Sequence, residues 1–151
     1  MARFNFTLQT VLSERERQEQ LAQRELAEKI RFYDSIEQKL RTCETEIVEA
    51  QQQMRDHQSK GRIDPQFLIA HRRYMAAVRV RVQGIAQDMA GARLAIETAR
   101  RVLTSAVTQR KSIEILRDRQ LAAFRADQNR KDRILSDEIG AQLAIGNLSG
   151  I

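Results

Sequence analysis

Ser59-Lys60-Gly61-Arg62-Ile63-Asp64-Pro65 is the stretch that decides the fold, because it is the strong interruption in a chain of 151 residues holding one proline and six glycines. Asp64 is suited to cap a helix, and Pro65 to occupy its first turn, where a missing N–H costs nothing. Working outward, Thr7 to Gln58 contains no Gly or Pro, and Gln66 to Ile139 contains only Gly84 and Gly91. The reading is two helices of unequal length, 7–58 and 66–139, joined by a turn at 59–65. A tail at 140–151 is expected to fray, since it holds Gly140, Gly146, Ser149 and Gly150.

Hydrophobic periodicity says how these helices pack. In the first, Ala22, Leu26, Lys29, Tyr33, Ile36, Leu40, Cys43, Ile47, Ala50 and Met54 alternate spacings of four and three, with Lys29 as the polar break. In the second, Leu68, His71, Met75, Val78, Val82, Ile85, Met89, Ala92, Ile96, Ala99, Leu103 and Ala106 do the same, with His71 polar. A seam sustained over several heptads is the mark of a left-handed coiled coil. The expected fold is therefore all-α: one long two-helix antiparallel coiled-coil hairpin spanning 1–151 as a single domain.

An antiparallel return at Pro65 requires facing seam positions whose numbers add to a constant. Centring the turn between Arg62 and Ile63 gives layers such as Ala50/Met75, Ile47/Val78, Cys43/Val82, Ile36/Met89, Leu26/Ala99 and Ala22/Leu103, large residues repeatedly facing small ones. The same register sets Glu44 beside Arg79, Glu46 beside Arg81 and Lys39 beside Asp88. Exposed pairs of this kind are worth about 0–1 kcal/mol and specify orientation more than they stabilise. Toward the termini the register sets Arg15 against Arg110 and Glu19 against Ala106, then recovers at Leu12/Ile113. Beyond that point helix one runs out, leaving roughly 20 residues of helix two, Arg117 to Glu138, as an overhang of about 30 Å. Its charges have both signs and its apolar residues are spaced out (Leu121, Phe124, Ile134, Leu135), so it invites a partner from outside the chain or a second copy.

Composition narrows function. Charged residues make up 30% of the chain and aromatics 5%, with one Cys and no Trp, which excludes a disulfide scaffold and fits long helices better than a compact globule. No apolar run approaches the roughly 20 residues of a membrane span, and no charged-then-apolar leader precedes Phe4; the expectation is a cytoplasmic protein. Enzymatic chemistry is not expected. His57 and His71 have no Cys or carboxylate at ligand spacing, so no metal or cofactor is expected. Cys43 reads as a seam filler without an activating base, no Gly-rich phosphate loop follows a strand, and carboxylates scattered on a two-helix rod enclose no pocket.

Net charge is +6. The excess sits in the middle, where residues 60–109 carry nine Lys/Arg against three Asp/Glu, while residues 1–59 carry nine against eleven. A basic nucleic-acid-binding coiled coil is the alternative this raises, resting on Arg72, Arg73, Arg79, Arg81, Arg93, Arg100 and Arg101. Arg72, Arg79, Arg93 and Arg100 share one flank beside the seam, however, and the aromatic interleaving that stacks bases is missing.

The ends carry a resemblance. Phe4-x-Phe6-x-Leu8-Gln9-x-Val11-Leu12, followed by Arg15 and Glu19, is similar to the opening of the flagellar type III export protein FliJ family. Lys111-Ser112-Ile113-Glu114-Ile115-Leu116-Arg117-Asp118-Arg119, continuing through Phe124, Asp127, Lys131 and Asp132 to Leu135-Ser136-Asp137-Glu138, resembles that family's closing helix. The resemblance covers about 45 residues; the middle of the chain matches in period alone.

What the resemblance implies is a stalk similar in shape to the shaft of rotary ATPases. Its paired termini would enter the hexameric export ATPase (FliI) and stimulate it, and it would bind the export gate protein FlhA and export chaperones, at the cytoplasmic side of the inner membrane. On this resemblance Leu8, Leu12, Arg15, Lys111, Glu114, Leu116, Arg119, Phe124, Asp127 and Lys131 are candidates for ATPase contact. The plainer reading is that Leu12 and Leu116 pack within the hairpin while the charges form a solvated face. Near the turn, Phe67, His71, Tyr74 and Met75 are candidates for the export gate, with His71 and Met75 also seam positions. The equivalent stalk of a virulence-type secretion system would keep the fold and change the partner.

Overall fold

The computed structural model describes residues 3–62 and 64–148, with side chains to residue 145. Ile63 of the expected turn and Ser149 and Gly150 of the expected tail lie outside the described residues. Two helices account for nearly all of the rest: α1, Gln9–Ser59, and α2, Pro65–Leu148.

Both helix limits have local causes. Asp64 caps α2, its Oδ1 accepting the Gln66 N–H at 2.9 Å and its carbonyl the Leu68 N–H at 3.1 Å, with Pro65 as first helical residue. Gly61 ends the turn out of α1 with φ +74°, a left-handed conformation that side-chain-bearing residues avoid, and its N–H donates to the Gln58 carbonyl at 3.2 Å. α2 runs to Leu148, past the limit of 139 read from the sequence. Gly140 costs a helix about 1 kcal/mol, but Ala141, Gln142, Leu143 and Ala144 after it are good helix formers. α1 begins at Gln9 and not at 7, because the chain bends at Thr7 and Leu8, with the Gln9 N–H donating to the Phe6 carbonyl at 3.1 Å.

The helices pack on each other and contribute jointly to two compact units. The unit from Gln20 to Thr104 contains the turn. Within it every seam position named on α1, from Ala22 to Met54, is buried or half-buried, and so is every one on α2 from His71 to Leu103. Leu68 is the exception, at 38% exposed. The fully covered layer residues are mostly small: Ala22, Cys43, Ala50, Ala92 and Ala99, with Ile36 and Val78 the larger exceptions. A seam between two helices covers a small side chain completely and a large one only in part.

The flanks of this unit correct the expected charge pairing. Arg81 donates to Glu46 at 2.6 Å, as the register requires. Among the described residues Glu44 and Arg79 form no ion pair, nor do Lys39 and Asp88. Lys39 and Asp88 instead line a groove of about 430 Å³ beside Cys43, which Gly84 leaves open. Both lie more exposed than the seam, where chain entropy and solvation outweigh the Coulomb gain of closing the pair. Arg93 lies over the Tyr33 ring, 5.7 Å from its centroid, and donates to its hydroxyl at 3.1 Å.

The second unit joins the residues up to Glu19 with those from Ser105 onward. Leu12 is 1% exposed and Phe6 5%, and the Phe4 ring meets Phe124 at a centroid distance of 5.6 Å, tilted 51°. The segment before α1 therefore covers α2 where no partner within the chain was expected, and only the later part of the expected overhang remains bare. Half-buried positions on α2 continue the seam through Ala106, Arg110, Ile113, Arg117, Leu121, Phe124 and Gln128, while residues 129–145 are exposed throughout.

Candidate interaction surfaces

The terminal unit is built around an arginine. Instead of facing Arg15, Arg110 donates its Nε to Glu19 and its Nη1 to Glu114 at 2.6 Å, with its side chain 22% exposed. The hydrogen bond to Glu19 pushes the guanidinium's pKa further up; partial desolvation opposes this, and the two carboxylates add their attraction. Arg15 donates to Gln109 at 2.6 Å and to Gln18 at 3.1 Å. The expected like-charge contact is avoided because long guanidinium stems reach about one turn along the partner helix. Every charge here that leaves water thus finds a partner.

Nine of the ten candidates on this unit keep some exposed surface. Leu12 is the tenth; its side chain is packed within the chain. Leu8 is half-buried in the bend before α1, and Arg15 is half-buried in its amide contacts. Glu114 is engaged by Arg110 and lies 3.9 Å from Arg117. Lys111, Leu116 and Arg119 face solvent. Phe124 holds Phe4, and Asp127 and Lys131 pair with each other at 2.6 Å, one turn apart. The structure brings all ten into one unit.

The four candidates near the turn also gather, with one addition. Phe67 is stacked on His57 of α1, centroids 3.7 Å apart and planes at 6°, and lies 6.1 Å from the His71 ring. Both histidines of the chain thus flank one phenyl ring. Met75 is half-buried below them on the seam, and Tyr74 is 42% exposed.

Sequence reasoning passed over Arg3, and it named Arg110, Glu19, Arg117 and Leu121 in the register, motifs and overhang without placing them among the contact candidates. A signal was present: two of the chain's five phenylalanines stand at 4 and 6, ahead of the first helix, and need apolar cover from somewhere. Among the described residues no group of three or more His, Cys, Asp or Glu is placed to hold a metal ion, and no helix is long and apolar enough to cross a membrane.

A family model described as flagellar FliJ protein matches residues 4–149. No curated protein matches, and no solved structure does.

Proposed function

The chain belongs to the FliJ family of flagellar proteins, components of the type III export apparatus, and on that premise we propose that it acts as the stalk of the export ATPase. In this reading the terminal unit enters the pore of the hexameric FliI ring and raises its activity. The observation that carries the reading is the extent of the family match, residues 4–149, which takes in both terminal motifs and the turn between them. Supporting it, the surface of α2 beyond Gln128 is exposed and mixed in charge, with Arg130, Lys131, Asp132, Arg133, Asp137 and Glu138. Polar contacts of both signs are easily broken and remade, which suits an asymmetric helix facing a symmetric ring.

Within this proposal the overhang is the part of α2 after the cover of Phe4 ends. Lys111, Glu114, Leu116, Arg119, Asp127 and Lys131, with Leu8, Arg15 and Phe124, supply the ATPase contact, while Leu12 holds the unit together from inside. Tyr74, with Phe67, His71 and Met75, meets the export gate protein FlhA. The protein works in the cytoplasm at the inner membrane and escorts export chaperones as well. Exposed Leu135, Ile139 and Leu143, spaced by four, give the same helix a stripe through which two copies can pair.

The test is the ATPase rate of the cognate export ATPase with and without the chain, at two salt concentrations, beside Arg119→Glu and Phe124→Ala variants. Stimulation that the variants lose, and that weakens with salt, supports the stalk. Absence of stimulation, with salt-sensitive retention of DNA or RNA in parallel, overturns it in favour of the basic-face alternative.

A further inference from the structure

The segment before α1 does more than cover α2. Phe6 is buried and Phe4 is held against Phe124, so the backbone between Arg3 and Gln9 is pinned at two aromatic anchors. Beside these anchors lies an open groove of about 810 Å³, lined by Arg3, Phe4, Phe6 and Gln9 on one side and by Arg117 and Leu121 of α2 on the other.

Its chemistry is one-sided. Two guanidiniums line it and no carboxylate does. Arg117 binds Asp118 through Nε at 3.1 Å and Nη2 at 3.0 Å and has Glu114 at 3.9 Å from Nη2, which leaves its Nη1 as the part of the fork without a hydrogen-bond partner among the described residues. Arg3 has no acidic partner among the described residues, and the first turn of α1 holds no acidic residue to answer the positive end of the helix. Phe4, Phe6 and Leu121 supply the apolar part of the same lining.

We propose that this groove receives an acidic peptide segment of a protein partner, a carboxylate held between Arg3 and Arg117 with a neighbouring apolar side chain on Phe4, Phe6 and Leu121. A carboxylate matches the planar guanidinium fork, and the apolar lining excludes water from the pair on one side, which makes such a contact stronger than one on an open helix face. A second copy of this chain, whose exposed Asp137 and Glu138 lie beside Leu135 and Ile139, is the competing occupant, and retention of the chain on itself that Arg3→Glu abolishes, with ATPase binding untouched, overturns the proposal in its favour. The proposal rests on the reading that the terminal unit docks to the export ATPase, and gives that docking its chemistry.

The experiment titrates the purified full-length chain into the purified export ATPase and, in parallel, into overlapping peptides covering the ATPase sequence. Arg3→Glu and Arg117→Met are each expected to weaken ATPase binding about tenfold or more at unchanged helicity by circular dichroism. Arg3→Lys, which keeps the charge and loses the fork, is expected to weaken binding less than Arg3→Glu but measurably, and the peptides retained are those with Asp or Glu beside an apolar residue. Arg3 is exposed, so its variants report on the groove even where Arg117→Met disturbs the neighbouring ion pairs. ATPase binding that neither variant weakens overturns the groove and leaves the docking reading standing. A wild-type chain that does not bind the ATPase overturns both. Retention of RNA lost in the two variants, with ATPase binding untouched, overturns the proposal in favour of nucleic acid.

Discussion

Leu12 and Val78 are the largest fully covered side chains among the described residues, one in each unit. Leu12→Ala is expected to lower stability by about 2–5 kcal/mol. Val78→Ala removes less volume and should cost about 1–3 kcal/mol. Val80, two residues on and 67% exposed, supplies the control: Val80→Ala should stay within about 0.5 kcal/mol of the wild type. Urea unfolding followed by circular dichroism reads all three. Polar contacts on the surface behave differently. Near the start of α1 the Arg17 hydrogen bond holds Glu14 below the ordinary carboxylate range, and Arg17 is raised in turn. A lowered carboxylate pKa means a contribution present at neutral pH and lost as pH falls through the folded-state value. The stability difference between the wild type and Arg17→Met is therefore expected to be small at pH 7 and to vanish on acidification below the carboxylate range.

Glycine stands at two kinds of position, in the turn between the helices and inside α2. At Gly61 the left-handed φ is needed, and Gly61→Ala is expected to destabilise by about 1–2 kcal/mol. Gly84 and Gly91 lie inside α2 with open space where a Cβ would stand. Gly84→Ala and Gly91→Ala are each expected to stabilise by about 1 kcal/mol, seen as a higher urea midpoint. The helices, the turn and the seam are legible in the sequence for the same reason that such substitutions can be forecast: a period of three and four is a property of local spacing, and it fixes which face is covered without reference to anything distant. The terminal unit is legible only in part. Phe4 and Phe6 carry no period, and whether they lie against α2 depends on a bend at Thr7 and Leu8 that no repeat encodes. The register sets Arg110 against Arg15 because a register assigns backbones, while the Arg110 side chain reaches a full turn away to Glu19. Gly140 reads as an end, yet four helix formers after it outweigh one breaker.

Taken whole, the chain spreads its charge unevenly. Its basic excess lies in residues 60–109, mostly on the unit that carries the turn, while residues 129–145 of the other unit are exposed and mixed in sign. Leu135 and Ile139 lie bare in that stretch, so sedimentation equilibrium is expected to show concentration-dependent association that Leu135→Glu with Ile139→Glu abolishes. Unchanged association in that double variant would move the contact elsewhere. The family membership is readable from motifs at both ends because those residues are grouped tightly in sequence; the acidic-segment groove is not, since Arg3 and Arg117 stand far apart along the chain. One feature of the seam also makes the protein its own clock. Cys43 is free and 4% exposed, packed beside the groove that Gly84 leaves open. With so little of it exposed, a thiol reagent reaches it faster when this layer opens, so the rate of labelling under native conditions follows how often the layer breathes. A Gly84→Ala chain should label more slowly, and any partner that clamps the seam should slow it further, which gives a readout of engagement needing neither nucleotide nor an added dye.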